Sequence, residues 1–104
     1  MTGALDGKRA VVTGAGGALG SSIASRFAAE GVAAIALVDI DSGQIRASAQ
    51  ALREQAEGRS LKIEEIVVDV TDHDAVLDRY QQISSAFGGI DISVNNAGIV
   101  APSG

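Results

Sequence analysis

The stretch Arg9-Ala-Val-Val-Thr-Gly-Ala-Gly-Gly-Ala-Leu-Gly20 decides how this chain folds. Its first half is a short apolar run that predicts a β-strand over Arg9–Thr13, and its second half is a glycine-rich turn. Apolar residues then recur at helical spacing over Ser21–Glu30. The N-terminus of such a helix offers unpaired N–H donors and a positive potential. A strand, glycine turn and helix in this order therefore predict a site for phosphate groups.

The glycine spacing narrows that prediction to a particular kind of turn. The common dinucleotide fingerprint needs Gly14, Gly16 and a small residue at position 19, where this chain has Leu. What remains is Thr-Gly followed by Gly17 and Gly20, or the spacing Gly14-xxx-Ala18-x-Gly20. We expect the tightest bend at Gly16 or Gly17. Glycine has no Cβ, so the backbone can approach a diphosphate closely. The residues predicted to bind it are Gly14, Gly16, Gly17, Ala18 and Leu19.

A carboxylate follows the second apolar run, Ala33–Val38, which reads as a strand covered on both faces. Asp39 at its end can accept the two ribose hydroxyls of an adenosine, and Ile40 lies beside it. A 2′-phosphate would meet like-charge repulsion there, and no Arg stands nearby to receive it. Asp41 is the better cap for the next helix, which leaves Asp39 free. The pattern favours NAD over NADP.

The rest of the chain continues the alternation of strands and helices. Asp41 and Gln44 predict a reciprocal capping box at the start of the second helix. A third strand is predicted over Leu61–Val68, as a half-exposed edge strand. Thr71 is predicted to cap a third helix, and Ile90–Val94 to form a fourth strand. We predict an α/β fold: the N-terminal part of a doubly wound, parallel, Rossmann-type sheet with strand order 3-2-1-4 and helices on both faces. Residues 1–104 are the N-terminal, NAD-binding part of a single Rossmann-type domain in this prediction.

Two further strand ends contribute candidate residues. Asp69 follows the third strand, where its side chain or the backbone of Val70 can lie at the adenine; a turn residue before the helix cap is the equal alternative. Asn95 can tie neighbouring strand ends together. Small residues after it would let the backbone lie along the cofactor, and these predicted binding residues are Asn96, Ala97 and Gly98.

Composition excludes several classes of function. Apolar residues make up 46% of the chain and aromatic residues 3%, which argues against a stacking surface for single strands. A net charge of −5 has the wrong sign for binding a nucleic-acid backbone. No cysteine is present, no metal site is predicted around the single histidine, His73, and no apolar run approaches a membrane span. We expect a cytoplasmic protein with no membrane or nucleic-acid partner.

Together these segments resemble the short-chain dehydrogenase/reductase family over nearly the whole chain and in order. The pairing of the Thr-Gly turn with Asn-Asn-Ala-Gly is the specific part of the resemblance. The matching stretches are 5–8, 11–14 with the turn to 20, 37–39, 69–72, 87–91 and 95–98.

Two positions depart from the family pattern. Standard members carry Gly where this chain has Ala18, whereas Gly17 matches the spacing of the extended, epimerase-like branch. The Asn-Asn-Ala-Gly segment is typical of the standard branch, which we favour. Ser93 stands where the family usually has an apolar residue, and its hydroxyl needs a partner if buried.

The resemblance implies an NAD(P)-dependent oxidoreductase that transfers hydride between NAD and an alcohol or carbonyl substrate, as a homo-oligomer. The family's catalytic Tyr-xxx-Lys pair, Ser and Asn lie in its second half. Tyr80 is followed four residues later by Ser84, so no catalytic residue is assigned within residues 1–104. We therefore expect this truncated segment to be the NAD-binding part, with the catalytic part absent. The alternative is a non-catalytic nucleotide-binding half-domain; a methyl-donor-dependent transferase is disfavoured by Asn-Asn-Ala-Gly.

Overall fold

A computed structural model describes residues 3–95 of the chain as a parallel sheet with helices between its strands. The elements alternate strictly, and each helix connects two parallel strands. Their bounds are β1 Arg9–Thr13, α1 Ala18–Ala29, β2 Ala34–Asp39, α2 Ser42–Gln55, β3 Lys62–Val67, α3 His73–Phe87 and β4 Ile92–Val94.

The sheet order is β3-β2-β1-β4 with every pairing parallel, which confirms the predicted fold class. β1 and β2 are buried on both faces because they lie at the centre, whereas β3 is a half-exposed edge strand. Alternate residues of the central strands face opposite helical layers. On one face Val12 and Leu37 pack in one core with α1 and α2; on the other, Val11 packs in a second core with Ile83 of α3.

Helix α1 starts three residues earlier than the sequence spacing predicts, at Ala18 instead of Ser21. Gly17 is its N-cap residue, with φ −80° and ψ 171°. The expectation that the tightest bend lies at Gly16 or Gly17 is wrong, because the turn's positive φ, 65°, is at Gly14. Ala18 is helical, so it meets none of the strain that a left-handed conformation would impose on a residue with a Cβ.

The N-terminal caps of α2 and α3 correct two details. Asp41 caps α2 by accepting from the Gln44 N–H at 3.1 Å, but the Gln44 side chain does not complete the box; the Asp41 N–H donates to Asp39 instead. Asp72, not Thr71, caps α3, with its carboxylate 3.1 Å from the Ala75 nitrogen. The Thr71 hydroxyl is occupied by Asp69, which leaves the capping role to the carboxylate that follows.

An arginine holds β1 and β4 together where both strands begin. The Arg9 guanidinium donates to both carboxylate oxygens of Asp91, at 2.8 and 3.0 Å, and to the Gly88 carbonyl at 2.7 Å. The Asp91 carboxylate also accepts from the Arg9 N–H at 2.9 Å. These hydrogen bonds lower the pKa of Asp91 to about 2. β4 begins at Ile92, directly after this ion pair, and is shorter than the predicted strand Ile90–Val94.

Ser93 has a partner on the face that α3 covers. Its hydroxyl lies 2.7 Å from the Tyr80 hydroxyl, so the two form a hydrogen bond between β4 and α3. Ser93 is exposed, and the bond accounts for a polar residue within a strand. Within residues 3–95, none of the helices has the length and apolar character needed to cross a membrane.

Candidate functional site

The candidate site lies where the central strands end. The parallel arrangement brings the end of β1, the glycine turn and the end of β2 to the same edge of the sheet. Ala15 donates its N–H to the Val38 carbonyl at 3.1 Å, so the turn is fastened directly to β2. The carboxyl edge of a parallel sheet, at the point where strand order reverses, is where such folds bind ligands.

Helix α2 fastens the turn from the other side. The Ser48 hydroxyl, on a residue that is only 8% exposed, donates to the Ala15 carbonyl at 3.0 Å. Within the turn, Gly17 donates to the Gly14 carbonyl at 3.2 Å. The N–H and the carbonyl of Ala15 are therefore both hydrogen-bonded to neighbouring elements, and these two bonds hold the turn in place.

The first turn of α1 presents backbone N–H donors that have no hydrogen-bond acceptor in the part of the chain that the structure describes. No acceptor among residues 3–95 pairs with the N–H groups of Ala18, Leu19 or Gly20; the first helical bond is from Ser21 to Gly17, at 2.9 Å. There is no side-chain cap and no acidic residue in the first turn. Open N–H groups at an uncapped helix N-terminus are the kind of donors that bind anions, and the binding role of Ala18 and Leu19 stays a prediction.

The glycines of the turn are needed for different reasons. A Cβ at Gly20 would overlap the Gly14 carbonyl oxygen and lie 2.8 Å from the Ala15 Cα, so a side chain is excluded by backbone. A Cβ at Gly17 would meet only the Gly14 oxygen, at an ordinary 3.6 Å. Gly20 thus allows α1 to begin close against the turn, whereas Gly17 leaves open space in front of the helix.

The Asp39 carboxylate is hydrogen-bonded to backbone, in contrast to the free group that the sequence suggested. One oxygen, Oδ2, accepts from Gly16 of the turn at 2.8 Å. The other, Oδ1, accepts from Ile40 at 2.7 Å and from Asp41 at 3.3 Å. A carboxylate offers about four lone-pair positions, so acceptor capacity remains for a hydroxyl donor. Asp39 and the turn are therefore one connected site.

Two large apolar side chains stand exposed beside these polar groups. Leu19, in the first turn of α1, and Ile40, directly after Asp39, are each 64% exposed. Both were predicted to bind the cofactor. Exposed apolar groups next to an anion site and a carboxylate suit a ligand with a flat ring as well as phosphates.

The end of β3 holds Asp69 in a local turn. Its Oδ1 accepts from the Thr71 hydroxyl at 2.7 Å and from the Thr71 N–H at 2.9 Å. The bond from the hydroxyl, followed by that from the N–H, lowers the pKa of Asp69. This is the turn role that the sequence left open, and it leaves the half-buried Val70 as the candidate for backbone contact with a ligand.

At the end of β4, Asn95 connects the ends of two neighbouring strands, which is the structural role that the sequence suggested for it. The Thr13 hydroxyl lies 3.1 Å from the Val94 carbonyl oxygen and 3.2 Å from the Asn95 Oδ1. The predicted binding residues Asn96, Ala97 and Gly98 lie outside the described residues.

Sequence reasoning missed the residues that support the site. Ser48 sits in the middle of α2 with no motif to distinguish it, although a small polar residue on the apolar face between Ile45 and Leu52 is a usable signal. The bond between Gly16 and Asp39 joins residues 23 positions apart, and no local pattern indicates it.

The sequence matches the short chain dehydrogenase family over residues 8–104, so the chain belongs to this family. It is 34% identical over 96 residues to a short chain dehydrogenase/reductase of Colletotrichum higginsianum, covering 92% of this chain and 34% of that protein. The chain thus spans about a third of the length of this relative.

Solved structures show the same fold. An NAD⁺-bound xylitol dehydrogenase superposes with a TM-score of 0.83 at 36% identity, covering 92% of this chain and 35% of that one. The L-sorbose reductase of Gluconobacter frateurii, complexed with NADPH and L-sorbose, gives 0.81 at 35% identity, with 100% and 38% covered. These two neighbours hold different nicotinamide dinucleotides, so family membership supports the class of cofactor without choosing between NAD and NADP.

Proposed function

We propose that residues 1–104 form the NAD-binding part of an oxidoreductase that transfers hydride between NAD and an alcohol or carbonyl group of a small molecule. The observation that carries the proposal is the connected site: three open N–H groups at the start of α1, joined through Gly16 to the carboxylate that ends β2. A dinucleotide carries both a diphosphate and a ribose diol, the two groups that these donors and this carboxylate suit.

Each predicted residue has a role that its surroundings support. The N–H groups of Ala18 and Leu19 receive the diphosphate, with Gly14 and Gly17 keeping the approach clear. Asp39 accepts a ribose hydroxyl at the acceptor position left open on Oδ2, while Ile40 and the backbone near Val70 contact the adenine. Asn96, Ala97 and Gly98 are proposed to line the cofactor on the strength of the family resemblance.

NAD is proposed over NADP because of charge. Asp39 would face a 2′-phosphate with like charge, and the residues that follow it are Ile40 and Asp41. No lysine or arginine stands within the glycine turn to offset the repulsion. When bound, the nicotinamide would supply the hydride acceptor or donor.

Catalysis is assigned to residues outside this segment. The chain's one tyrosine, Tyr80, is bonded to Ser93 on the α3 face of the sheet, away from the glycine turn. The proposed arrangement is a single Rossmann-type domain whose second part holds the acid–base residues and the substrate pocket. A small-molecule substrate, a homo-oligomeric state and the cytoplasmic location stay predictions.

The test is calorimetric titration of the full-length protein with NAD and with NADP, comparing wild type with Asp39→Asn. Replacing the carboxylate removes a charged acceptor for the ribose hydroxyls, which contributes about 1.5–3 kcal/mol, so NAD affinity should fall by about tenfold or more. NADP affinity should hold or rise, because the repulsion is gone.

Asp41→Asn is the matched control. It removes one negative charge from the same edge while keeping an oxygen that can cap α2, so NAD affinity should stay within about twofold of wild type. Tighter binding of NADP than NAD to wild type would refute the role given to Asp39. Binding of neither dinucleotide would refute the proposed function.

A further inference from the structure

We propose that Gly16 is a positioning residue for the Asp39 carboxylate, and that the space between Gly16 and Gln44 sets the preference between NAD and NADP. The proposal rests on the proposed function and deepens it. It adds a residue of the turn whose task is selectivity for the adenosine end, distinct from the task of receiving the diphosphate.

The hydrogen bonding of the carboxylate is the first observation. Ile40 and Asp41, the two residues that directly follow Asp39, donate to Oδ1, so these two bonds are local to the end of β2. Only the Gly16 N–H, 2.8 Å from Oδ2, comes from a different element. Among the described residues, this one bond fixes the side chain relative to the turn. A hydrogen bond to a charged acceptor is among the stronger kinds, so it can hold the rotamer in place.

The lack of space at position 16 is the second observation. A Cβ at Gly16 would lie 2.6 Å from the Gln44 Cβ and 2.9 Å from Asp39 Oδ2, with the Gln44 Oε1 at 3.3 Å. Gly16 is not among the residues with positive φ, so an alanine there carries no backbone penalty of that kind. A side chain at position 16 therefore requires Gln44 or Asp39 to move.

The two groups that block position 16 connect it to the choice between NAD and NADP. Of the two blocking groups, the Gln44 Cβ is held by the first turn of α2, whereas the Asp39 carboxylate can rotate. A methyl group at position 16 would move the carboxylate off the Gly16 N–H and away from the ribose position. NAD would lose its acceptor, while a 2′-phosphate would meet less repulsion. The diphosphate donors at Ala18 and Leu19 would be untouched.

The experiment measures dissociation constants of NAD and NADP for the full-length protein as wild type, Gly16→Ala, Gly16→Ala/Gln44→Gly and Gly16→Ala/Gln44→Ala. Gly16→Ala should weaken NAD binding about tenfold and change NADP binding less than about twofold. Removing the Gln44 Cβ gives the new methyl group room, so the glycine double variant should recover at least about threefold. The alanine double variant keeps that Cβ and should recover nothing.

Each other outcome overturns the proposal. If Gly16→Ala weakens NAD and NADP binding equally, the effect of Gly16 lies at the diphosphate and the ratio of the two dissociation constants is unchanged. If both double variants recover NAD affinity equally, the Gln44 Cβ has no role. Failure of wild type to bind either dinucleotide would overturn the proposed function as well, whereas selective binding with an unaltered ratio overturns this inference alone.

A second measurement covers the case in which Gly16→Ala does not fold. The amide proton of Gly16 is followed by NMR in wild type, Asp39→Asn and Asp41→Asn. Loss of the charged acceptor should move this resonance upfield in Asp39→Asn and leave it in place in Asp41→Asn. If the chemical shift of the Gly16 amide proton is the same in Asp39→Asn as in wild type, the proposal is overturned.

Discussion

Gly20→Ala tests whether α1 really begins as close to the turn as the structure places it. The added Cβ would overlap the Gly14 carbonyl oxygen and lie 2.8 Å from the Ala15 Cα. Overpacking costs about 1–3 kcal/mol, and the upper end applies because both obstacles are backbone atoms that cannot rotate away. Alanine offsets about 1 kcal/mol of this by favouring the helix. We therefore expect the free energy of unfolding to fall by about 2 kcal/mol.

The assay is urea unfolding of the full-length protein, followed by circular dichroism, with Gly17→Ala as the matched control. The control adds the same methyl group three residues earlier, where it meets only the Gly14 oxygen at 3.6 Å. Its expected cost is about 0.5–1 kcal/mol, from replacing glycine at an N-cap. If Gly20→Ala is as stable as wild type, or loses no more than Gly17→Ala, the close approach of helix and turn is refuted.

Two more predictions concern the supports of the sheet and the turn. Ser48→Ala should lower the free energy of unfolding by about 1–2 kcal/mol, because the Ala15 carbonyl loses its hydrogen-bond donor. The control Ser85→Ala, on the exposed side of α3, should change it by less than about 0.5 kcal/mol. Equal losses of the two variants in urea unfolding would contradict the buried hydrogen bond. Asp91 has its pKa lowered from 3.8 to about 2 by Arg9, so its contribution is complete above about pH 4 and is lost as the pH falls towards 2. The stability difference between wild type and Asp91→Asn should shrink over that range, and a difference independent of pH would contradict the ion pair.

The order of the elements could be predicted because each signal is local. The apolar run before Gly14 and the one before Asp39 read as buried strands, and the long crossovers between them require parallel pairing. The edge position of β3 follows from the first half of the strand, where Lys62 and Glu64 alternate with Leu61 and Ile63. These are properties of short windows of sequence, and the structure confirms them.

The exact ends of the elements and the bonding of the site could not be predicted, because they depend on contacts between distant segments. Thr71 looks as good a cap as Asp72 until Asp69 is seen to hold its hydroxyl. The Asp39 side chain looks free until the turn is folded over it, 23 residues away in sequence. Such choices are decided by competition among donors and acceptors, which a one-dimensional pattern does not record.

The contact between Tyr80 and Ser93 gives the chain an intrinsic optical probe. Residues 1–104 contain one tyrosine and no tryptophan, so this segment contributes a single phenol emitter, whose signal is the difference between wild type and Tyr80→Phe. That ring packs against the core cluster that contains Val11 and Ile83, with its hydroxyl 2.7 Å from Ser93. The lifetime and quenching of that signal therefore monitor whether α3 remains docked on β4, without any label being attached.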